Sequence, residues 1–313
     1  MASEIVGLVV SLALLAVTGD QFIVGVSRLA SALRVRPTVV GVFVGGLGTS
    51  IPELVVATLA AHRRSPQLAV GSLVGSIIAN ICLALAIAAL VAPVRVGSET
   101  LRREAPLSVL AVVLFGVLAA RGLSVAKGVE MLAALAPMLG LLLTSARHRG
   151  EDALADEVVE FIEKPALRPR LESVRALASL VVMLGGAELL VTSTVDLSHR
   201  LGMAQGVAGV TLVGIGTSAP LIASSIQGAR RGEHELVVGN VLGGNLFIAL
   251  CGGALVGLVS PRPVGAATLV PLWLMGGAVA SSWLAMARGS RLARSEAVLL
   301  LAAYAAMLPF VNR

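Results

Sequence analysis

Apolar stretches long enough to cross a lipid bilayer recur along this chain at intervals of about thirty residues, the length of one span plus a short loop. A chain so patterned faces hydrocarbon over most of its outside, where every backbone amide must find its partner within its own segment or sheet. The continuous apolar runs make those segments helices. Composition agrees: 57% of the residues are hydrophobic and 13% charged, and a soluble domain of 313 residues cannot hide that much apolar surface from water. The pattern predicts an all-α membrane protein with about ten transmembrane helices, at roughly 4–26, 38–61, 68–93, 105–121, 127–145, 173–195, 206–229, 236–259, 264–287 and 293–311. The first run, from Ile5, continues past Asp20 into more apolar sequence, so it reads as a retained span rather than a cleaved leader. Cys82 and Cys251 lie inside spans without a Cys or His at ligand spacing and read as small buried hydrophobes.

The net charge of +6 could suggest nucleic acid, but the basic residues sit in the loops between apolar runs and form no stripe. Counted over alternating loops, Lys and Arg number 17 on the side of Arg28, Arg95 and Arg230 and 7 on the side of Arg63, Arg121 and Arg200. The positive-inside rule makes the first side cytoplasmic and places both termini outside, with a bacterial inner membrane as the expected location. One long polar stretch stands out, 146–172, rich in acids from Glu151 to Glu163 and closed by Pro165 and Pro169. It is read as a solvated cytoplasmic linker between an N-terminal five-helix unit, 1–145, and a C-terminal one, 173–313.

The two units are copies. At a constant offset of 168 residues, Asp20 falls on Glu188, Gly41 on Gly209, Gly46 on Gly214, Gly48-Thr49-Ser50 on Gly216-Thr217-Ser218, Pro52 on Pro220 and Gly75 on Gly243. Glycine matches alone would mean little in apolar sequence, but a gapless register that also pairs Thr, Ser and Pro marks an internal repeat. Five spans per unit is an odd number, so the second copy enters the bilayer from the opposite side. Inverted repeats of this kind are an architecture of secondary transporters, in which a central site opens to each side in turn.

The polar breaks fall in the second and seventh spans. Pro52 and Pro220 lack the amide hydrogen that a helix would offer to the carbonyls of Gly48 and Gly216, so both are expected to break their helices there. Thr49, Ser50, Thr217 and Ser218 add hydroxyl oxygens beside the breaks, and oxygen clusters suit hard cations. Glu53 supplies charge: an acid at mid-span costs roughly 2.5–3.5 kcal/mol on insertion scales and is functional by default. Ser76 and Asn80, four residues apart on one helix face, point toward the same region. Glu53, Thr49 and Thr217 are the leading metal ligands of this set.

The segments GTSIPEL (Gly48–Leu54) with VGSLVGSIIANI (Val70–Ile81), and GTSAPL (Gly216–Leu221) with VGNVLGGNL (Val238–Leu246), resemble the two α-repeats of the sodium/calcium exchangers, within the cation/Ca²⁺ antiporter superfamily. The resemblance covers essentially the whole chain. It implies ten helices in two inverted five-helix repeats, outward termini, and electrochemically driven exchange of Na⁺ for Ca²⁺ with no cofactor, the partners being inorganic cations and the lipid bilayer. Carried over by position, it makes Thr49, Ser50, Glu53, Ser76 and Asn80 ligands of the first half and Thr217 and Ser218 their counterparts. The chain departs from the family pattern at Leu221, Gly244 and Ile248, where a Glu, a Ser and an Asp are usual.

With one carboxylate left, a dehydrated divalent ion keeps an unbalanced charge. Asp20 and Glu188, repeat-equivalent and within the first and sixth spans, are the acids that could reach the site or line the access path. The expectation is a cation antiporter centred on Glu53 with altered ion choice among Na⁺, Ca²⁺ and H⁺. The alternative is a monovalent cation/proton exchanger or a non-transporting, ion-sensing member of the fold. An intramembrane enzyme is excluded, because His62, His148, His199 and His234 all fall at loops or span ends and no base is available at depth.

Overall fold

A computed structural model of the chain describes residues 2–33, 46–148, 169–263 and 269–311. The start of the expected second span, up to residue 45, and most of the expected linker, 149–168, lie outside the described residues.

The described residues form ten main helical segments, eight of them long and apolar enough to cross a bilayer. In chain order they are α1 (Ala2–Ala32), α2 (Ile51–His62, entered through a 3₁₀ turn at Gly48–Ser50), α3 (Pro66–Val91), α4 (Thr100–Ala120) and α5 (Val125–His148). The second set is α6 (Pro169–Leu201), α7 (Gln205–Arg231), α8 (His234–Val259), α9 (Leu269–Gly289) and α10 (Arg294–Val311). Four of them contain one turn of π-helix, at Asn80–Leu85, Thr100–Glu104, Gly209–Val213 and Ile248–Gly252. Three of these turns, in α3, α7 and α8, adjoin the polar motifs, where wider turns commonly mark functional positions.

α3 and α8 lie innermost, buried along most of their length. Their sequences explain why: between Pro66 and Val91 there is no charged residue, and small residues recur so that neighbouring backbones can touch. Outward, Val9, Val17, Leu177, Val181, Trp273 and Leu299 expose large apolar side chains, as a bundle solvated by lipid does. Basic side chains finish helix ends whose last carbonyls have no helical partner. Arg294 Nε donates to Leu90 O (3.1 Å) at the end of α3, and Lys127 Nζ donates to Arg121 O (3.0 Å) at the end of α4.

The inverted repeat is visible in three dimensions, down to single bonds. Gly46 abuts Gly243, and the repeat-equivalent Gly214 abuts Gly75. Two short strands, β1 (Val94–Arg95) and β2 (Arg291–Leu292), pair antiparallel on one face of the bundle. On the other face the equivalent residues meet through one bond, from Leu123 N–H to Arg262 O (3.2 Å). The turns correspond as well. Gly122 and Ser290 both have positive φ (78° and 49°), as do Arg64 and Gly232 (60° and 80°). The register of 168 residues therefore holds without a gap from Asp20 to at least Leu123.

Arg64 is the strained member of its pair. Both turns close a helix in the same way, with Ser65 N–H donating to Ala60 O and Glu233 N–H to Gly228 O (both 2.9 Å). This cap needs a left-handed residue, which Gly232 supplies at no steric cost and Arg64 does not. Arg64→Gly is expected to raise stability by about 0.5–1 kcal/mol, read as a higher unfolding midpoint in detergent. A lower midpoint would show that contacts of the Arg64 side chain outweigh its backbone strain.

Candidate cation site

Two seams between the repeats bring the expected site residues together. Along the seam of α2 with α8, Gly46 faces Gly243, Ser50 faces Gly244 and Leu54 faces Gly252. In sequence Glu53 lies between the Ser50 and Leu54 contacts of that seam. Along the seam of α3 with α7, Gly209 faces Ser72 and Gly214 faces Gly75 and Ser76.

The hydroxyls cross these seams in symmetric pairs. Ser50 Oγ lies 3.2 Å from Gly46 O in its own turn and 3.4 Å from Gly244 O across the seam. Its counterpart Ser218 Oγ lies 3.5 Å from Ser76 O, the position equivalent to Gly244. Ser76 Oγ and Thr217 Oγ1 are 3.1 Å apart, and Thr217 also donates to Val213 O (3.0 Å) in its own helix. Asn80 Nδ2 donates to Asn245 Oδ1 at 2.9 Å, again joining the two halves. Ser76 thus meets α7 while Asn80 meets α8, so the helix face they share spans both partners. Thr49 is half-buried at the start of the 3₁₀ turn, one residue before Ser50.

Glu53 sits in the first turn of α2, 3% exposed, and its Oε2 has no hydrogen-bond partner. Asn80 Oδ1 and Asn245 Nδ2 are also buried without partners. The other buried acids are neutralised: Glu4 by Arg200 (3.0 Å), and Glu172 by Arg28 (3.3 Å) and Arg175 (3.1 Å). Among the described residues Glu53 is the buried carboxylate with no basic partner. A polar atom left bare in this way loses free energy unless something cationic or protic meets it, and an ion enclosed by oxygens does. Among the described residues no three His, Cys, Asp or Glu side chains converge.

Two expectations are corrected, both at the prolines. Pro220 does not break its helix: it lies inside an uninterrupted stretch, Gly214–Arg231, and the irregular turn of α7 comes earlier, at Gly209–Val213. Pro52 does coincide with a break, but Gly48 O is not left free, because Ile51 N–H reaches it across the tightened 3₁₀ turn. Neither outlying acid joins Glu53. Asp20 is exposed, with Gln21 Nε2 donating to its carboxylate (3.2 Å), and Glu188 is bound to Arg63 at the far end of α2. Ten residues of helix separate Arg63 from Glu53, about 15 Å of rise. Asn245 is not among the ligands expected from the sequence. Its one sequence signal is the second Asn in VGNVLGGNL, and its pairing with Asn80 requires the fold.

The family profile described as "Sodium/calcium exchanger protein" matches residues 3–144 and 173–311. The chain is 33% identical over 261 residues to CaxA of Alkalimonas amylolytica, covering 82% of this chain and 81% of that protein. It is equally 33% identical over 261 residues to the inner membrane protein YrbG of Escherichia coli K12, covering 82% and 80%. In three dimensions it is similar to the sodium-calcium exchanger NCX_Mj soaked with 100 mM Na⁺ and 10 mM Sr²⁺, with 26% identity, 98% of each chain covered and a TM-score of 0.68. The repeated glycine seams, the hydroxyls that cross them, the buried acid and these matches have one meaning: the chain is a multi-pass membrane transport protein, not an enzyme, and belongs to the sodium/calcium exchanger family.

Proposed function

We propose that this protein is a secondary-active cation antiporter that works by alternating access around a midplane site centred on Glu53. The observation that carries the reading is the bare, buried Glu53 carboxylate in the first turn of α2. Thr49, Ser50, Ser76, Asn80, Thr217 and Ser218 supply the neutral oxygens, so that a cation sheds water and is held by first-half and second-half groups together. The protein lies in the plasma membrane with both termini outward, on the loop-charge count and by analogy with its inner-membrane relative.

The ion follows from charge. Where a two-carboxylate site would neutralise Ca²⁺, this one has Leu221 in place of a second acid, and the buried Ile248 where the family pattern has an Asp. At about 4 Å and an effective dielectric near 20, one missing carboxylate is worth about 8 kcal/mol to a divalent ion and about 4 kcal/mol to a monovalent one. One Glu53 balances one Na⁺ or one proton. In proteoliposomes, an imposed pH gradient is expected to drive uptake of labelled Na⁺, with Ca²⁺ uptake slower by at least about tenfold. Ca²⁺ exchange as fast as Na⁺ movement would refute the monovalent assignment. The apolar Leu221 and Ile248 also favour a second reading, an ion-sensing member that binds without flux, and saturable Na⁺ binding with no movement of any of the three ions would select it.

The same residues give a gain-of-function expectation. Leu221→Glu with Ile248→Asp restores the missing charge and should raise Ca²⁺ uptake relative to Na⁺ by about tenfold or more. An unchanged ratio in a correctly folded double variant would show that these positions do not set ion choice.

A further inference from the structure

The repeat relation pairs not only the site residues but also two charges at each end of the bundle: at an offset of 168, Arg63 falls on Arg231 and Asp20 falls on Glu188. Arg63 closes α2 and Arg231 closes α7, each followed by its left-handed residue, Arg64 or Gly232. Glu188 belongs to α6 and Asp20 to α1. In this structure the first pair is made: the Arg63 guanidinium grips the Glu188 carboxylate as a fork, with Nε donating to Oε2 at 3.1 Å and Nη2 meeting Oε1. The pair lines an open cavity of about 520 Å³ together with Leu59, His62 and Arg64. The second pair is not made, since Asp20 is exposed and hydrogen-bonded to its neighbour Gln21.

The closest glycine contacts, the crossing serines and the turns with a left-handed residue correspond between the halves. The other acids that bridge α1 and α6 match too: Glu4 and Glu172 are repeat-equivalent, and both are paired, Glu4 with Arg200 and Glu172 with Arg28. Two inverted halves that exchange conformations also exchange their contacts. We infer that Arg63–Glu188 and Asp20–Arg231 are the two members of an alternating charge latch, each closing one face of the bundle while the other is open. This rests on the antiport reading for its purpose, and on the repeat register and the observed pair for its geometry. The latch answers what Asp20 and Glu188 do: they serve the path to the site and do not coordinate the ion.

The test uses the full chain in proteoliposomes, with Cys82→Ser and Cys251→Ser as background and a protease site placed within residues 151–160. Arg63→Cys/Glu188→Cys and Asp20→Cys/Arg231→Cys each place one thiol in either half, so after cleavage a disulfide keeps the halves together on a non-reducing gel. Both pairs are expected to crosslink on oxidation, each arresting exchange until reductant is added. Crosslinking of the first pair without the second, or crosslinks that leave exchange running, would overturn the latch. Crosslinking is read without any flux, so a chain that moves no ions contradicts the antiport reading alone, while two disulfides still support the alternation. If the cysteine pairs are poorly recovered, Arg231→Glu is expected to slow exchange and Asp20→Arg/Arg231→Glu to restore it; failure of that rescue also overturns the proposal.

Discussion

Replacing Glu53 by Gln is expected to reduce cation exchange by at least about a hundredfold while leaving the protein folded and extractable as a monodisperse species. The carboxylate is buried with an unpartnered oxygen, so its charge serves no ion pair among the described residues. Gln keeps its size and one carbonyl oxygen but removes the single negative charge that repays the dehydration of a cation. At about 4 Å and an effective dielectric near 20 that charge is worth about 4 kcal/mol, and each 1.4 kcal/mol is a factor of ten. Stability should hold or rise slightly, because an uncompensated buried charge costs free energy that a neutral amide does not. Exchange retained within about threefold in reconstituted Glu53→Gln would remove this residue from the mechanism.

The second large effect is structural. A side chain at Gly75 would place its Cβ 2.6 Å from Val210 Cα and 2.7 Å from Val210 C, and one at Gly214 would lie 2.6 Å from Gly75 Cα and 2.8 Å from Ser76 N. These neighbours are backbone atoms and cannot swing aside, so even Ala must push α3 from α7. Overpacking of this kind costs about 3 kcal/mol or more. Separation also breaks the contacts of Ser76 with Thr217 and Ser218, so the same change should abolish cation binding. Gly140 and Gly185 are the internal comparison: both are helical, and a Cβ added at either would meet nothing within 4 Å. Thermal unfolding in detergent is expected to fall sharply for Gly75→Val and Gly214→Val and to stay level for Gly140→Ala and Gly185→Ala. Equal behaviour in the two sets would mean that the seams are looser than these distances require.

The architecture was legible because its causes are local and repeated. Span length follows from bilayer thickness, and the register that pairs Gly48-Thr49-Ser50 with Gly216-Thr217-Ser218 needs no coordinates. Glu53 announced itself by the cost of a mid-span acid. What the sequence withheld depends on which helices meet. Arg63 counted only as one more loop cation until α6 brought Glu188 beside it. Asn245 gained a partner only when α8 crossed α3. The proline rule worked for Pro52 and failed for Pro220, because a helix packed among neighbours can run through a proline.

The central claim is that one buried carboxylate holds the transported cation, and ligand-linked stability tests it without requiring flux. Unfolding midpoints of the purified protein would be followed across Na⁺ and Ca²⁺ titrations at constant ionic strength, for the native chain and for Glu53→Gln. A ligand that binds the folded state alone stabilises it in proportion to the logarithm of its concentration above Kd. The native midpoint should climb with Na⁺, and that of Glu53→Gln should stay flat. Parallel climbs in both proteins would place the cation somewhere other than Glu53.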